Sequence, residues 1–258
     1  MMESSDYSLR EMMTIMAARE IRDGDIVFAG TGISMLAATA AKHINAPNSV
    51  IFFETGAIDS RVEELPLAVA DPRVMYAAAS NPGLLEAFAT MQNRITGDKV
   101  IAIVGAAQID KYGNLNTTAI GDYFQPDIRF SGSGGGCDAA SFAPRCIAFM
   151  QHEKRKFVQA LDYLTSPGQL TGGDSRNAAG LRKGGINVII TNMAVMRIDT
   201  DTGEMYLDRY YPGISTDEIL ARMQFTVDVS RAKEADPPME MEVAILRDTC
   251  DPQRLILG

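Results

Sequence analysis

The 258-residue chain has no tryptophan, three cysteines and two histidines. Cys137, Cys146 and Cys250 are too few and too irregularly spaced for a disulfide framework or a CxxC ligand pair, so packing is the expected role of each thiol. With only His43 and His152 to add, no structural zinc site is expected, and neither histidine has a serine or cysteine at the spacing of a hydrolase triad. Positive charge is scarce as well: 24 Lys and Arg against 33 Asp and Glu leave a formal charge of -9. An acidic surface of that kind argues against nucleic acid or anionic membrane as the main partner. No apolar run approaches the ~20 residues that span a bilayer, and the opening MMESSDYSLREMM lacks a basic stretch followed by an apolar one. The expectation is a soluble, cytoplasmic protein acting on small ligands or with protein partners.

What the chain does have is 46% hydrophobic residues, enough for a sizeable core in one large α/β domain or two small ones. Ser8 and Glu11 form a capping box, followed by Leu9, Met12, Met13, Met16 and Ala17 on one stripe, which predicts a helix over about 9–22. IVFAGTG reads as a strand ending in glycines, ISMLAATAAKH as an Ala-rich helix, and SVIFFETG as a second strand. RVMYAAAS is expected as a third strand and PGLLEAFATMQNR as a helix with Pro82 at its start. KVIAIVGAAQID is apolar on both faces for most of its length, as suits a strand covered on both sides. The first 110 residues therefore predict an open, largely parallel, doubly wound sheet with helices on both faces. LNTTAIGDY, RCIAFMQ, FVQALDYL and INVIITNMAVMRID have strand-like composition, and EMYLDRYYP is expected to pair with the last across Asp201-Thr202-Gly203 as a hairpin. Ser215 and Glu218 open another short helix, and the tail, with Asp236-Pro237-Pro238 and Asp251-Pro252, is expected to be extended and surface-lying. No repeat, low-complexity tract or linker divides the chain, so residues 1–258 are read as a single domain.

Four places could carry chemistry. Gly30-Thr31-Gly32, between strand and helix, can present backbone N–H groups to an anion, but it has neither a full GxGxxG nor a Walker lysine, and a tight βα turn serves as well. In Phe130-Ser131-Gly132-Ser133-Gly134-Gly135-Gly136 the near-absence of side chains lets the backbone approach a ligand or a developing oxyanion. Lys154-Arg155-Lys156 concentrates positive charge in an acidic protein, as a solvated turn or as a clamp for phosphates or carboxylates. Glu54, in FFETGAID, should stand at the C-terminal end of a strand, where ligands dock in doubly wound sheets; strand-end acids are also common without any function.

Taken together these pieces resemble the β subunit of family I CoA-transferases, most of all the glutaconate CoA-transferase type. The resemblance is carried by Glu54-Thr55-Gly56, by Gly105-Ala106-Ala107-Gln108-Ile109-Asp110 with Tyr112-Gly113-Asn114-Leu115-Asn116, and by Ile120-Gly121-Asp122-Tyr123. It continues through Gly132-Ser133-Gly134-Gly135, Gln151-His152-Glu153-Lys154-Arg155-Lys156-Phe157 and Asp162-Tyr163-Leu164-Thr165-Ser166-Pro167-Gly168. The resemblance implies Glu54 as the nucleophile of a ping-pong reaction through a glutamyl-CoA thioester. It implies Gly134, Gly135 and Gly136 as oxyanion or CoA contacts, and Lys154 and Arg155 as CoA phosphate contacts or supports of the loop; Gly30 and Gly32, read from their own turn, are further candidate CoA or phosphate contacts. It implies coenzyme A as a substrate with no other cofactor and no metal, an acyl-CoA donor and a carboxylic acid acceptor such as glutaconate, and an α subunit in a heteromer of α2β2 form. Relatives without the glutamate are CoA-ester hydrolases or decarboxylases, so those activities stay open, as does a sensing module that binds a CoA ester or sugar phosphate without turnover.

Overall fold

The structure, a computed structural model, describes residues 2–182 and 184–258. The chain packs as two compact units, one of residues up to 103 together with 237–258 and the other of residues 104–236.

In the first unit, α1 (Leu9–Glu20) starts on the expected capping box: the Ser8 hydroxyl accepts from the Glu11 amide and the Glu11 carboxylate accepts from the Ser8 amide at 2.7 Å. Strand β1 (Ile26–Ala29) follows, then α2 (Ile33–Ile44), β2 (Val50–Phe52), α3 (Leu84–Gln92) and β3 (Val100–Gly105). β1 lies between β2 and β3 and is parallel to both, with Phe28 opposite Phe52 and Ala29 opposite Ile103. The segment from Ser34 to Ala41 is buried in α2; its run of alanines removes the bulk that would otherwise keep neighbouring elements apart. RVMYAAAS, expected as a strand, is instead a 3-10 turn over Pro72–Met75 that leads to a single bridge at Ser80. The Asp71 carboxylate caps the Arg73 amide and Pro72 fixes the first turn, so local capping overrides the β-like composition.

In the second unit, β4 (Gln108–Ile109) pairs with β5 (Leu115–Asn116), and β6 (Ala119–Gly121) with β7 (Pro126–Arg129), as small antiparallel ribbons. Helix α4 (Gly136–Phe142), β8 (Arg145–Phe149), the short α5 (Ser175–Ala178), β9 (Ile186–Ile190), β10 (Ala194–Ile198), β11 (Met205–Tyr210), α6 (Thr216–Ala221) and β12 (Lys233–Glu234) complete it. β8 and β9 are parallel, while β9, β10 and β11 form an antiparallel meander and β12 pairs parallel with β11. The expected hairpin across Asp201-Thr202-Gly203 is therefore present. INVIITNMAVMRID is not one strand, however: it folds back at Thr191, whose hydroxyl accepts from the Met193 and Ala194 amides at 3.1 and 3.0 Å. FVQALDYL is not a strand either, and only Phe157 bridges to Ile109.

The tail returns to the first unit as α7 (Glu240–Ala244) continuing into a π-helical turn (Ile245–Cys250), rather than lying extended on the surface. Val243, Leu246 and Cys250 are buried, and Arg247 reaches the buried Glu11 carboxylate at 2.6 and 3.0 Å. Burial works against ionising Glu11, but the bonds from Arg247 and the Ser8 amide outweigh it and hold its pKa below the usual value. Among the described residues no helix is long and apolar enough to cross a membrane.

Candidate active site

β1 and β2 are parallel and in register at Phe28 and Phe52, so Gly30 and Glu54 both follow the C-terminal ends of neighbouring strands. That is the edge of a doubly wound sheet at which ligands dock. Glu54 is half-buried in a tight turn. The Gly56 amide donates to the Phe53 carbonyl and the Phe53 amide to the Ala57 carbonyl, both at 3.0 Å. Immediately after it, Ile58 bridges Phe52 on one side and Ser80 on the other, and the Lys42 ammonium pairs with Asp59. Gly56 has φ +104, and a Cβ placed on it would lie 2.6 Å from the Cα and N of Gly83. Only glycine permits that approach. The Thr55 hydroxyl is buried with no hydrogen-bond partner, an arrangement that costs stability and tends to collect at functional sites. Gly32 caps α2 with φ +74 and ψ -136 and makes no side-chain cap bond, and a Cβ added to Gly30 or to Gly32 would meet open space.

The glycine-rich segment of the second unit is built differently. Gly132, with φ +93, is tied at both ends to Thr117: its amide donates to the Thr117 carbonyl at 3.0 Å and its carbonyl accepts from the Thr117 hydroxyl at 2.8 Å. Ser133 accepts from the Gly136 amide at its carbonyl and from the Cys137 amide at its hydroxyl, which closes the first turn of α4. Gly134 adopts φ +49, and Gly135 is the N-cap.

A cleft of about 480 Å³ brings the start of this loop, Phe130 and Ser131, together with Arg155 and Lys156 of the basic segment. Ala106, Ala107 and Gln108 also line it, whereas Gly134, Gly135, Gly136 and Lys154 do not. The positive charge is partly offset there, because Glu153 pairs with Arg155 at 2.6 Å and with Lys156 at 3.6 Å; the Arg155 bond is the main cause of its lowered pKa. The basic segment is anchored from below by His152, which is 1% exposed and stacks on Phe157 with ring centroids 4.4 Å apart. Its Nε2 lies 3.0 Å from the Ile219 carbonyl, which can only accept, so Nε2 carries the proton. Burial lowers its pKa to about 4, so the ring is a neutral structural post. Cys146 and Cys250 are pushed up to about 12 by burial, so both stay as thiols at neutral pH.

Sequence reasoning missed the hydrogen bonds that join the segments it singled out. The Gln108 side-chain amide bonds Asp162 and accepts from Asn116 at 2.7 Å. Asn114 accepts from the Gly168 amide at 2.8 Å and donates to the Leu170 carbonyl at 2.7 Å. Gly168 packs so closely on Tyr112 and Gly113 that an added Cβ would lie 2.3 Å from the Gly113 carbonyl carbon. Arg176, 4% exposed, donates to the carbonyls of Pro167, Gly168, Ala140, Ser141 and Arg182. The signal available was the density of Asn, Gln and Gly in these segments, types that serve loop-to-loop bonding and close approach.

The family description for coenzyme A transferase matches residues 10–222. The chain is 36% identical to the β subunit of glutaconate CoA-transferase of Acidaminococcus fermentans over 255 residues, covering 98% of this chain and 96% of that one. It is 32% identical to the β subunit of 3-oxoadipate CoA-transferase of Pseudomonas knackmussii, covering 94% and 93%. The crystal structure of glutaconate coenzyme A-transferase from Acidaminococcus fermentans superposes with a TM-score of 0.95 at 35% identity, covering 98% of each chain, and shares the α/β architecture with a mostly parallel sheet. With its family description, two relatives at nearly full length and its fold in agreement, the chain belongs to the coenzyme A transferase family.

Proposed function

We propose that the chain is the subunit of a two-chain CoA-transferase that carries coenzyme A covalently on Glu54. The observation that bears most weight is a half-buried carboxylate in a pinned turn at the C-terminal edge of the parallel sheet. The carboxylate attacks the thioester carbonyl of the donor acyl-CoA, giving a glutamyl–acyl anhydride and CoA thiolate. The thiolate attacks the glutamyl carbonyl and expels the donor acid as carboxylate, leaving a glutamyl-CoA thioester. The acceptor carboxylate attacks this thioester to give a second anhydride and CoA thiolate, which then attacks the acceptor's carbonyl and returns Glu54 unchanged. No electron is gained or lost, and only a carboxylate can pass through both states and be regenerated.

A carboxylate is a weak nucleophile, so positioning and the binding of remote parts of coenzyme A supply much of the acceleration. Within the second unit, Arg155 and Lys156 in the cleft suit the CoA phosphates, with Lys154 exposed beside them. The backbone of Gly134, Gly135 and Gly136 can approach the pantetheine or an oxyanion. In the first unit, the open Gly30 and Gly32 turn at the head of α2 offers backbone N–H groups to an anion. Glutaconate and 3-oxoadipate, named for the two relatives, are both dicarboxylates, which supports a dicarboxylic acid as acceptor. Both relatives are the β subunits of their enzymes, which supports an α subunit as partner, in an α2β2 assembly, with the isolated chain inactive.

The test is to assemble the chain with its partner subunit and supply an acyl-CoA with acetate or a dicarboxylate. The proposal expects CoA transfer to outpace release of free CoA, with parallel lines in double-reciprocal plots. Hydrolysis at the same rate with and without an acceptor acid contradicts it.

A further inference from the structure

We propose that Gly83 is a positioning residue for the Glu54 carboxylate, acting through its backbone contact with Gly56; the inference rests on Glu54 being the group that carries coenzyme A. The buried Phe53 and Ala57 side chains anchor the two ends of the turn 53–57 in the core, while at its tip Gly56 meets Gly83 backbone to backbone, with an added Cβ only 2.6 Å from Gly83 N and Cα and 2.7 Å from its carbonyl carbon. Gly83 in turn has φ +126, which an L side chain rarely adopts. The chain just before it is laddered to the far side of the turn. The Ile58 amide donates to the Ser80 carbonyl and the Ala79 amide to the Ile58 carbonyl, each at 2.9 Å. On the near side the Asp59 amide donates to the Ile51 carbonyl at 2.7 Å. The turn is thus fixed at both flanks and rests on Gly83 at its tip.

The helix that Gly83 opens gives no separate reason for glycine there. α3 buries only Ala87 and Met91, while Leu84 and Leu85 are 57% and 77% exposed, so its first turn could accept a side chain at the cap. The one neighbour of an added Cβ on Gly83 is the Glu86 carboxylate at 3.2 Å, the far end of a flexible side chain. A side chain at 83 therefore acts by expelling the backbone from φ +126, and the surface under Gly56 moves with it. A misplacement of about 1 Å at a reacting group costs roughly 100-fold in rate.

The experiment uses the assembled two-chain enzyme with Gly83→Ala and, as a milder variant, Pro82→Gly, which leaves Gly83 in place and loosens the segment that leads to it. Acyl-CoA is added without acceptor, the covalent label on Glu54 is counted by mass spectrometry after chemical trapping, and kcat, KM and thermal unfolding are measured in parallel. Expected for Gly83→Ala is a roughly 10- to 100-fold fall in the rate per labelled site, with KM for acyl-CoA within about 2-fold and cooperative unfolding retained. Pro82→Gly should lose about 2- to 5-fold with the same split. A Gly83→Ala enzyme that turns over at the wild-type rate per labelled site, with only the number of labelled sites reduced, overturns the inference by making the glycine merely structural. If Gly83→Ala does not fold, an unchanged rate per labelled site in Pro82→Gly overturns it equally. Label on a residue other than Glu54 in the unmutated chain removes the Glu54 assignment and this inference together, whereas label on Glu54 with an unaffected Gly83→Ala removes this inference alone.

Discussion

The Glu54 turn and the glycine-rich loop both use glycine at positive φ, but the turn needs it for space as well. In the turn, Gly56 is there because another backbone occupies the space a Cβ would need. In the loop, Gly132 and Gly134 are there for positive φ, and the segment is held by hydrogen bonds to the carbonyls and hydroxyls of Thr117 and Ser133. The first arrangement pins the backbone that carries the Glu54 side chain. The second sets the direction of a backbone that is exposed at Ser131 and Gly134. That contrast suits the proposed reaction, which asks for a nucleophile that does not wander and a surface that accepts a long substrate.

Substitutions can break the contrast, beginning with the largest effect. Glu54→Gln keeps the volume of the side chain but cannot form an anhydride, so transfer should fall by at least about 1,000-fold, while thermal unfolding shifts by no more than about 2 °C. The readout is steady-state transfer beside a melting curve, with deamidation back to glutamate excluded by mass. Gly56→Ala should lower stability by about 3–4 kcal/mol in urea unfolding, because it adds a 2.6 Å backbone clash to a strained φ.

Acid should act on the other region. His152 is buried and its folded pKa is lowered from 6.5 to about 4, so between those values the unfolded chain binds more protons than the folded one. Stability therefore decreases as pH falls from about 6.5 to 4, by about 3 kcal/mol in all. Hydrogen exchange should report loosening at residues 151–157 before residues 53–58, and His152→Asn should flatten that part of the pH profile. Thr55→Val removes the unpartnered hydroxyl at constant shape and should stabilise the chain by about 1 kcal/mol. Gly30→Ala, with open space around it and no positive φ, should be neutral to stabilising by up to about 1 kcal/mol in the same assay.

What the sequence made legible was whatever local chemistry decides. The capping boxes at Ser8 and Ser215, the strands β1, β2, β3 and β8, and the turn at Asp201-Thr202-Gly203 form as read, since each depends on neighbours along the chain. RVMYAAAS and FVQALDYL are short apolar runs whose composition suits a strand or a turn equally; local capping by Asp71 and Pro72 decides the first and tertiary contacts the second. The tail was obscured by its prolines. Pro237-Pro238 precede a helix rather than replace one, and the spacing of Val243, Leu246 and Cys250 was its helical signature. At the site, Glu54 could be placed at a strand end from the pattern FFETG. The Gly56–Gly83 contact could not, because it joins residues 27 positions apart in sequence that carry no side chains to betray it. The Gln108–Asp162 and Asn114–Gly168 bonds were hidden for the same reason of distance along the chain.

The central claim is that Glu54 becomes the CoA thioester, and one measurement addresses it directly. The assembled enzyme is incubated with acyl-CoA alone, trapped with borohydride or hydroxylamine, digested, and mapped by mass spectrometry. The account predicts a single modified site, Glu54, formed at the rate of turnover and discharged by acceptor acid. Modification of any other residue, or none at Glu54 in an enzyme that transfers CoA, contradicts it.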